Sequence, residues 1–288
     1  MTTIFKNPTN NIRNATAIIT HGGKAHRDDF LSCAIAVALS SNWPVIYRRD
    51  PTAEEMENPW TTVLDVGGRQ EPEKSNYDHH QLPRDAAPQC AFTLLIEALN
   101  LRGFEVPWVK STATMDAKGP FALARELGID AKVLLDLQSP VEGVLLEMFE
   151  MYDELLPGDA LYEIMHRIGI RLINAAGARA DRQAHLSERV HLANVGAGGV
   201  EVLILEEKDN AGLQEWRDRH APTAGICITR DDRGPGWCLY RFNDDTRVDF
   251  SRLEGVQGVI FAHKGGFIAK TEEMHLEKVL CLADMGTK

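Results

Sequence analysis

Residues 15–29 read ATAIITHGGKAHRDD, and this stretch decides the fold. Its first six residues (ATAIIT) are apolar, rich in β-branched side chains and short, the signature of a buried strand. Two glycines follow, and residues 29–41 (DFLSCAIAVALSS) read as a mostly buried helix. Strand, glycine turn and helix in that order form the first half of a strand–helix–strand unit. Residues 44–47 and 61–66 (TTVLDV) are further strands, and residues 88–101 and 106–128 read as helices. The alternation predicts an α/β domain whose mainly parallel sheet is covered by helices on both faces.

Beyond residue 140 the pattern changes. Residues 141–188 are helical and charged with no strand signal, and GAGG at 196–199 punctuates the chain. A second strand set follows at 200–205, 224–229, 237–241 and 258–261. The expected organisation is a catalytic domain over residues 1–140, a helical connector over 141–189 and a smaller α/β substrate-binding domain over 190–288.

Composition narrows the function classes. Of 288 residues, 44% are apolar and 25% charged, ordinary for a globular protein. No apolar run approaches a membrane span, and the amino-terminal residues have no apolar signal core. These features predict a cytoplasmic protein without a membrane partner and leave an oligomer open. The five cysteines (Cys33, Cys90, Cys227, Cys238 and Cys281) form no C-x-x-C pair, which argues against a disulfide framework and a structural zinc site. Cys33 and Cys90 fall in apolar helical runs, as small core residues. A net charge of −11 disfavours a duplex-binding protein, yet an anionic substrate held through metal ions remains compatible with it.

Four clusters carry candidate chemistry. In THGGKAHRDD (residues 20–29), two histidines and two carboxylates follow the first strand, at the sheet edge where ligands bind in open α/β folds. Metal ligation is one reading; helix capping by Asp28 or Asp29 is the other, and capping by one leaves the other free. In VLDVGG (63–68), Asp65 ends a strand, where it is a ligand or simply begins a turn. NYDHHQLP (76–83) puts His79 and His80 behind Asp78. An extended backbone would send the two imidazoles to opposite sides. In MDAKGP (115–120), Asp116 interrupts an apolar helical stretch, as a ligand or a helix-end residue. Carboxylates and imidazoles without thiolate suit Mn²⁺ or Mg²⁺. So many ligands fit two ions, about 3.5–4 Å apart, sharing a bridging carboxylate.

The clusters, in this order, resemble the four metal-binding motifs of the DHH phosphoesterase superfamily, which includes RecJ-type exonucleases, oligoribonucleases and family-II inorganic pyrophosphatases. THGGKAHRDD, VLDVGG and YDHHQ are most similar to the melanocyte-proliferating-gene exonuclease family, which has a second histidine where other members use aspartate. The string GVIFAHKGGFI (258–268) resembles that family's carboxy-terminal string. The chain departs from the family in its GGKA loop, in Asp29 where the family usually carries Glu, and in the tail HKGGFIAK.

The resemblance implies a two-metal site. One ion would be held by His21, His26 and Asp65, the other by Asp28, Asp65, His79 and Asp116, with Asp65 bridging. His80 would face the substrate phosphate and Asp78 would orient an imidazole. His263, Lys264, Gly265 and Gly266 would receive the far side of the substrate, in a cleft between domains, although a plain turn between strands also fits the HKGG string. Arg230 and Arg233 either reach phosphates or form a surface turn. The implied activity is hydrolysis of short single-stranded RNA or DNA from its 3′ end by a water activated between two ions. The alternatives are hydrolysis of a small phosphoanhydride or cyclic dinucleotide, and a non-catalytic module that senses a nucleotide.

Overall fold

Ile18 and Ile19 of the opening stretch are completely buried in the computed structural model, which describes residues 10–288. After a short helix α1 (Asn10–Asn14), they form β1 (Ala17–Thr20), a central strand of a six-stranded sheet. Helix α2 (Arg27–Leu39) leads to β2 (Val45–Arg48), and α3 (Ala53–Glu57) to β3 (Thr61–Leu64). Two short strands, β4 (Gln70–Glu71) and β5 (Asn76–Tyr77), extend one side. The strand order is β4-β5-β3-β1-β2-β6, where β6 is Glu154–Leu155. The pairs β1–β2, β1–β3 and β3–β5 are parallel; the two edge strands are antiparallel. The predicted mainly parallel α/β sheet, flanked by helices, is the observed one.

The register positions the chemistry. Thr20 pairs with Arg48 on one side and Leu64 on the other, and Leu64 pairs with Tyr77. The segments that begin at His21, Asp65 and Asp78 therefore leave one common edge of the sheet. Helix α2 is apolar nearly all round, and even Asp28, Asp29 and Ser32 are buried on it. A helix with no polar face must be covered on every side. One cover is a long helix, α9 (Ala160–Arg189), whose Gly169 approaches so closely that a Cβ there would sit 1.9 Å from the Ala34 carbonyl oxygen.

Helices α4 (Ala91–Ala98), α5 (Pro107–Lys118), α6 (Pro120–Leu127), α7 (Ala131–Asp136) and α8 (Pro140–Glu150) precede β6, and α9 spans Ala160–Arg189. The single helix expected over 106–128 is two helices. Gly119 adopts φ +79° and Pro120 offers no N–H, so the chain turns there. The strandless stretch expected over 141–188 contains β6, which is too short to produce an alternating pattern.

The chain divides into two compact units at Ala178/Arg179, inside α9. The second unit has its own six-stranded sheet, in the order β11-β12-β10-β9-β8-β7. Its elements are β7 (His191–Val195), β8 (Val200–Leu205), α10 (Leu213–His220), β9 (Ile226–Arg230), β10 (Trp237–Arg241), β11 (Val259–Ala262), β12 (Ile268–Thr271) and α11 (Leu276–Met285). The GAGG stretch, expected to precede the first strand of this set, is the turn of a β7–β8 hairpin. β7 gave no signal because an edge strand reading HLANV shows no clean apolar alternation. All five cysteines are free, and Cys33 and Cys90 are buried. No helix among the described residues is long and apolar enough to cross a membrane.

Candidate metal centre

The loop after β1 is held from below. Arg48, buried at the end of β2, donates to the carbonyls of Gly23 (2.9 Å) and Phe149 (3.2 Å), and Glu150 accepts from the Ala25 amide at 2.9 Å. The loop thus presents His21 and His26 in fixed places. His21 Nδ1 lies 2.8 Å from the Gly22 carbonyl, which can only accept, so Nδ1 carries the hydrogen and Nε2 points inward. His26 immediately precedes α2, and its backbone amide donates to Asp29 Oδ1 at 3.1 Å. Asp29 therefore does the capping, and Asp28 is free. Asp28 is wholly buried and neither of its oxygens has a hydrogen-bond partner.

Asp65 follows β3 with φ +59°, a left-handed conformation uncommon for a non-glycine residue and typical of functional turns. Its backbone amide donates to Tyr77 at 2.9 Å, which fixes the strained residue at the sheet edge. The carboxylate faces two ways. Oδ2 is 3.4 Å from His21 Nε2, and Oδ1 is 3.1 Å from His79 Nε2. His79 Nε2 is also 2.8 Å from Asp116 Oδ2 on α5, and Asp116 Oδ1 is 3.6 Å from His26 Nδ1. Three overlapping sets result among the described residues, one of His21, His26 and Asp65, one of Asp28, Asp65, His79 and Asp116, and one of Asp65, His79 and His80, each with ligand atoms within 4.8 Å of one another.

Asp78 lies outside these sets. Its Oδ1 accepts from the His80 amide (3.0 Å) and contacts His80 Nδ1 (2.7 Å), and its Oδ2 accepts from the Gly68 amide. The expected division of the two imidazoles to opposite sides is not the geometry observed. Their ring centroids are 4.4 Å apart and His80 Nδ1 is 3.8 Å from Asp65 Oδ1. The chain has left the sheet after Tyr77 and turns, Leu82 donating to the His79 carbonyl, so strand alternation does not apply. Burial separates them instead: His79 is enclosed and His80 is exposed.

The electrostatics are those of a cluster lacking positive charge. Burial, then the neighbouring carboxylates of Asp65, Asp116 and Asp29, push the Asp28 carboxyl well above its usual range. Burial would also raise Asp65, but its contacts with His21 and His79 outweigh this and hold it at about 2. Asp29 and Asp65 lift His21 to about 11. His79 rises to about 10, burial opposing and Asp116 and Asp65 prevailing. Yet His21 Nε2, His79 Nε2, Asp65 Oδ1 and both Asp28 oxygens make no aligned hydrogen bond. Ligands about 2.1 Å from one cation at right angles lie about 3 Å apart. The 2.8–3.4 Å spacings of His21, Asp65, His79 and Asp116 match that edge length. Buried unpartnered atoms at ligand spacing fit divalent cations.

Two cavities adjoin the cluster. One of about 280 Å³ is lined by His26, His79, His80, Gln89, Asp116 and Lys118 among others, and one of about 410 Å³ by His21, His26, Asp65, Asp78 and His80 with neighbouring backbone. His263, Lys264, Gly265 and Gly266 belong to the second unit, in the turn between β11 and β12. There His263 Nδ1 accepts from the Gly265 amide, and the His263 ring lies 4.2 Å from Phe267 and 6.2 Å from Phe261. Arg230 lies over Trp237 and pairs with Glu206, whereas Arg233 is exposed. Sequence reading missed Arg48 and Glu150, which carry no motif, and left open which of Asp28 and Asp29 caps the helix.

Residues 17–91 match the MYG1 exonuclease model, described as Uncharacterised protein family (UPF0160). The MYG1 exonucleases of Mus musculus, Rattus norvegicus and Bos taurus are 38%, 37% and 35% identical over 78 residues. That is 26% of this chain, and it spans 20% of each relative's length. Two solved structures align over nearly the whole chain, both at 12% identity. The DHH domain of a member of a ribosomal-protein family has a TM-score of 0.27, with 95% of this chain and 86% of that one covered. A pGpG-specific phosphodiesterase from Vibrio cholerae has a TM-score of 0.29, with coverage of 94% and 98%. At such scores these overlaps carry no argument. His21, His26, Asp28, Asp65 and His79 lie inside the sequence match and Asp116 outside it, so the segment that supplies most of the cluster is UPF0160-like.

Proposed function

We propose that this protein is a metal-dependent phosphodiesterase that removes nucleotides from the 3′ end of short single-stranded RNA, or DNA, with two divalent ions, Mn²⁺ in preference to Mg²⁺. The observation that carries this reading is Asp65, whose two oxygens face different histidines, His21 and His79, each with an Nε2 that has no aligned partner. His21, His26 and Asp65 would hold one ion, and Asp28, Asp65, His79 and Asp116 the other. Ions bound there supply a water nucleophile at neutral pH and neutralise charge developing on the phosphoryl oxygens.

The chain's own groups do the rest. Asp78 engages Nδ1 of His80 and leaves its Nε2 for a non-bridging phosphate oxygen. Burial of Asp28, Asp65 and His79 keeps the negative cluster out of bulk water, where its fixed charges act more strongly. The cavity of about 280 Å³ is of a size to take a single nucleotide. The exposed rings of Phe261 and Phe267 beside His263 would suit stacked bases on the second unit, with Lys264 and the Gly265–Gly266 backbone against phosphate. The exonuclease names of the relatives support a nucleic-acid substrate. Five free cysteines, four of them buried, support a reducing, cytoplasmic setting.

The test is a panel of 5′-labelled RNA and DNA oligomers, pyrophosphate and cyclic dinucleotides, assayed with Mn²⁺ and with Mg²⁺. Stepwise shortening of RNA from the 3′ end is expected. Preference for pyrophosphate or a cyclic dinucleotide would replace the substrate class. Absence of turnover on every member with metal bound would leave a nucleotide-sensing module.

A further inference from the structure

The cavity of about 280 Å³ beside His79, His80 and Asp116 is also lined by two basic residues, Lys118 and Arg84. Their situations differ. The Lys118 ammonium, at the end of α5, donates to the carbonyls of Arg84 (2.5 Å) and Ala86 (3.0 Å). It is occupied by backbone, and it fastens the segment after His80 to the helix that carries Asp116. That segment is held at two further points. The Leu82 amide donates to the His79 carbonyl at 2.9 Å, and the Ala86 amide to the Pro83 carbonyl at 3.0 Å, which closes a turn over residues 83–86. Arg84 is the second residue of this fixed turn and is exposed.

The Arg84 guanidinium has no hydrogen bond and no carboxylate partner among the described residues, not even the adjacent Asp85. Other arginines of this unit are engaged: Arg27 by Glu142, Arg49 by Glu55, Arg69 by Glu57 and Arg48 by two carbonyls. In a chain of net charge −11, a guanidinium left free at the wall of this cavity is available to an anion from outside. Its geometry selects the anion, because a planar guanidinium presents paired N–H donors that match two oxygens of one phosphate. The scissile phosphate is already served by the ions and His80. Resting on the nuclease reading above, we infer that Arg84 binds a second phosphate, the one next along the strand from the scissile bond. The preferred substrate class is then an oligonucleotide with at least two phosphates, and a lone phosphodiester forgoes this contact.

Wild type, R84K, R84A and R84E are compared, with bound Mn²⁺ measured in each. Values of kcat/KM are determined on a short RNA and on a bis-nitrophenyl phosphate ester, which has a single phosphate, over a range of salt concentrations. On the RNA, R84A is expected to lose at least about tenfold in kcat/KM, carried by KM. R84E should lose more and R84K less, since lysine keeps the charge without the fork. The slope of log kcat/KM against log salt should shrink by about 0.7 in R84A, the share of one phosphate contact on a single strand. The loss on the ester should be several-fold smaller, with Mn²⁺ content as in wild type. An unchanged KM and salt slope for RNA in both R84A and R84E would overturn the inference. Equal losses on the two substrates would also overturn it, assigning Arg84 to the scissile phosphate or to the fold of the turn. Wild type that hydrolyses the ester but neither binds nor cleaves the RNA would break the nuclease reading, and the inference with it. Wild type that cleaves the RNA beside an insensitive R84E would break the inference alone.

Discussion

The two units treat buried charge in opposite ways. In the second, Asp231 is almost fully enclosed and Lys270 sits 2.5 Å from it. Burial alone would raise that carboxyl, and the lysine contact outweighs it, so it stays ionised below its usual value. Arg217, also buried, spends two nitrogens on the Ala224 carbonyl and lies over the Phe242 ring. In the first unit, Asp28 is buried with no partner on either oxygen, and Asp65 and His79 contact each other out of alignment. A buried charge without a partner opposes folding by several kcal/mol, roughly. A unit that accumulates such groups at one sheet edge is arranged for something other than its own stability. The second unit shows what charge arranged for stability looks like.

The comparison breaks most readily at Asp65. Asp65→Asn should lower turnover of Mn²⁺-loaded protein on any substrate in the panel by at least about a hundredfold. Near-normal turnover at saturating Mn²⁺ would show that Asp65 bridges no pair of ions. The second unit should respond differently. His263→Ala should lower kcat/KM for a short RNA by about ten- to a hundredfold, as loss of a hydrogen bond to a charged group does. Hydrolysis of a bis-nitrophenyl phosphate ester should be nearly unchanged, and so should metal content. Equal losses on both substrates would place His263 in the chemistry or reveal a folding defect.

Smaller effects come from pH. His21 and His79 have folded pKa values of about 11 and about 10, above the ordinary 6.5, in the metal-free protein. A raised folded pKa stabilises fully below the unfolded value and ceases to do so as pH climbs through the folded one. The unfolding midpoint of metal-free protein should therefore fall between pH 6.5 and 10, by the equivalent of at most about 1.4 kcal/mol per pH unit for each of the two histidines. The raised Asp28 carboxyl acts in the same sense at lower pH. Saturating Mn²⁺ should flatten the slope, since cations displace those protons. A slope unaffected by Mn²⁺ would separate the histidines from metal binding. Smallest is a pair of neutralisations in metal-free protein. Asp28→Asn should raise the midpoint by a few degrees, worth about 1 kcal/mol. Asp231→Asn should lower it by a similar amount, because Lys270 loses its 2.5 Å buried partner and keeps only the more exposed Asp232 at 3.3 Å. Shifts of the same sign would erase the contrast between the units.

Much of this was legible before any coordinates. Short apolar runs ending in glycine turns predicted the parallel sheet, because strands covered on both faces read as continuous apolar segments. The ligand types were legible as well: each Asp alone could be a turn or cap, but imidazoles and carboxylates recur together after several strands of one sheet. Helix boundaries were less so: Lys118, Gly119 and Pro120 printed a break that an apolar pattern over 106–128 concealed. β7 and β6 escaped because edge and two-residue strands carry almost no periodicity.

By itself, the sequence determined the α/β class, the sheet edge where the chemistry collects, and the imidazole–carboxylate character of the cluster. These are local properties, written in runs of a few residues. Only the tertiary structure decided that Asp65 turns its two oxygens toward His21 and His79, and that Asp116, distant in the chain, closes on His79. It also decided which of Asp28 and Asp29 caps the helix, and that Arg48 and Glu150 brace the loop from beneath. Those facts depend on strand register and on helices packed across the sheet. Distances between residues far apart in sequence are set by the packing of the whole unit and by no segment within it.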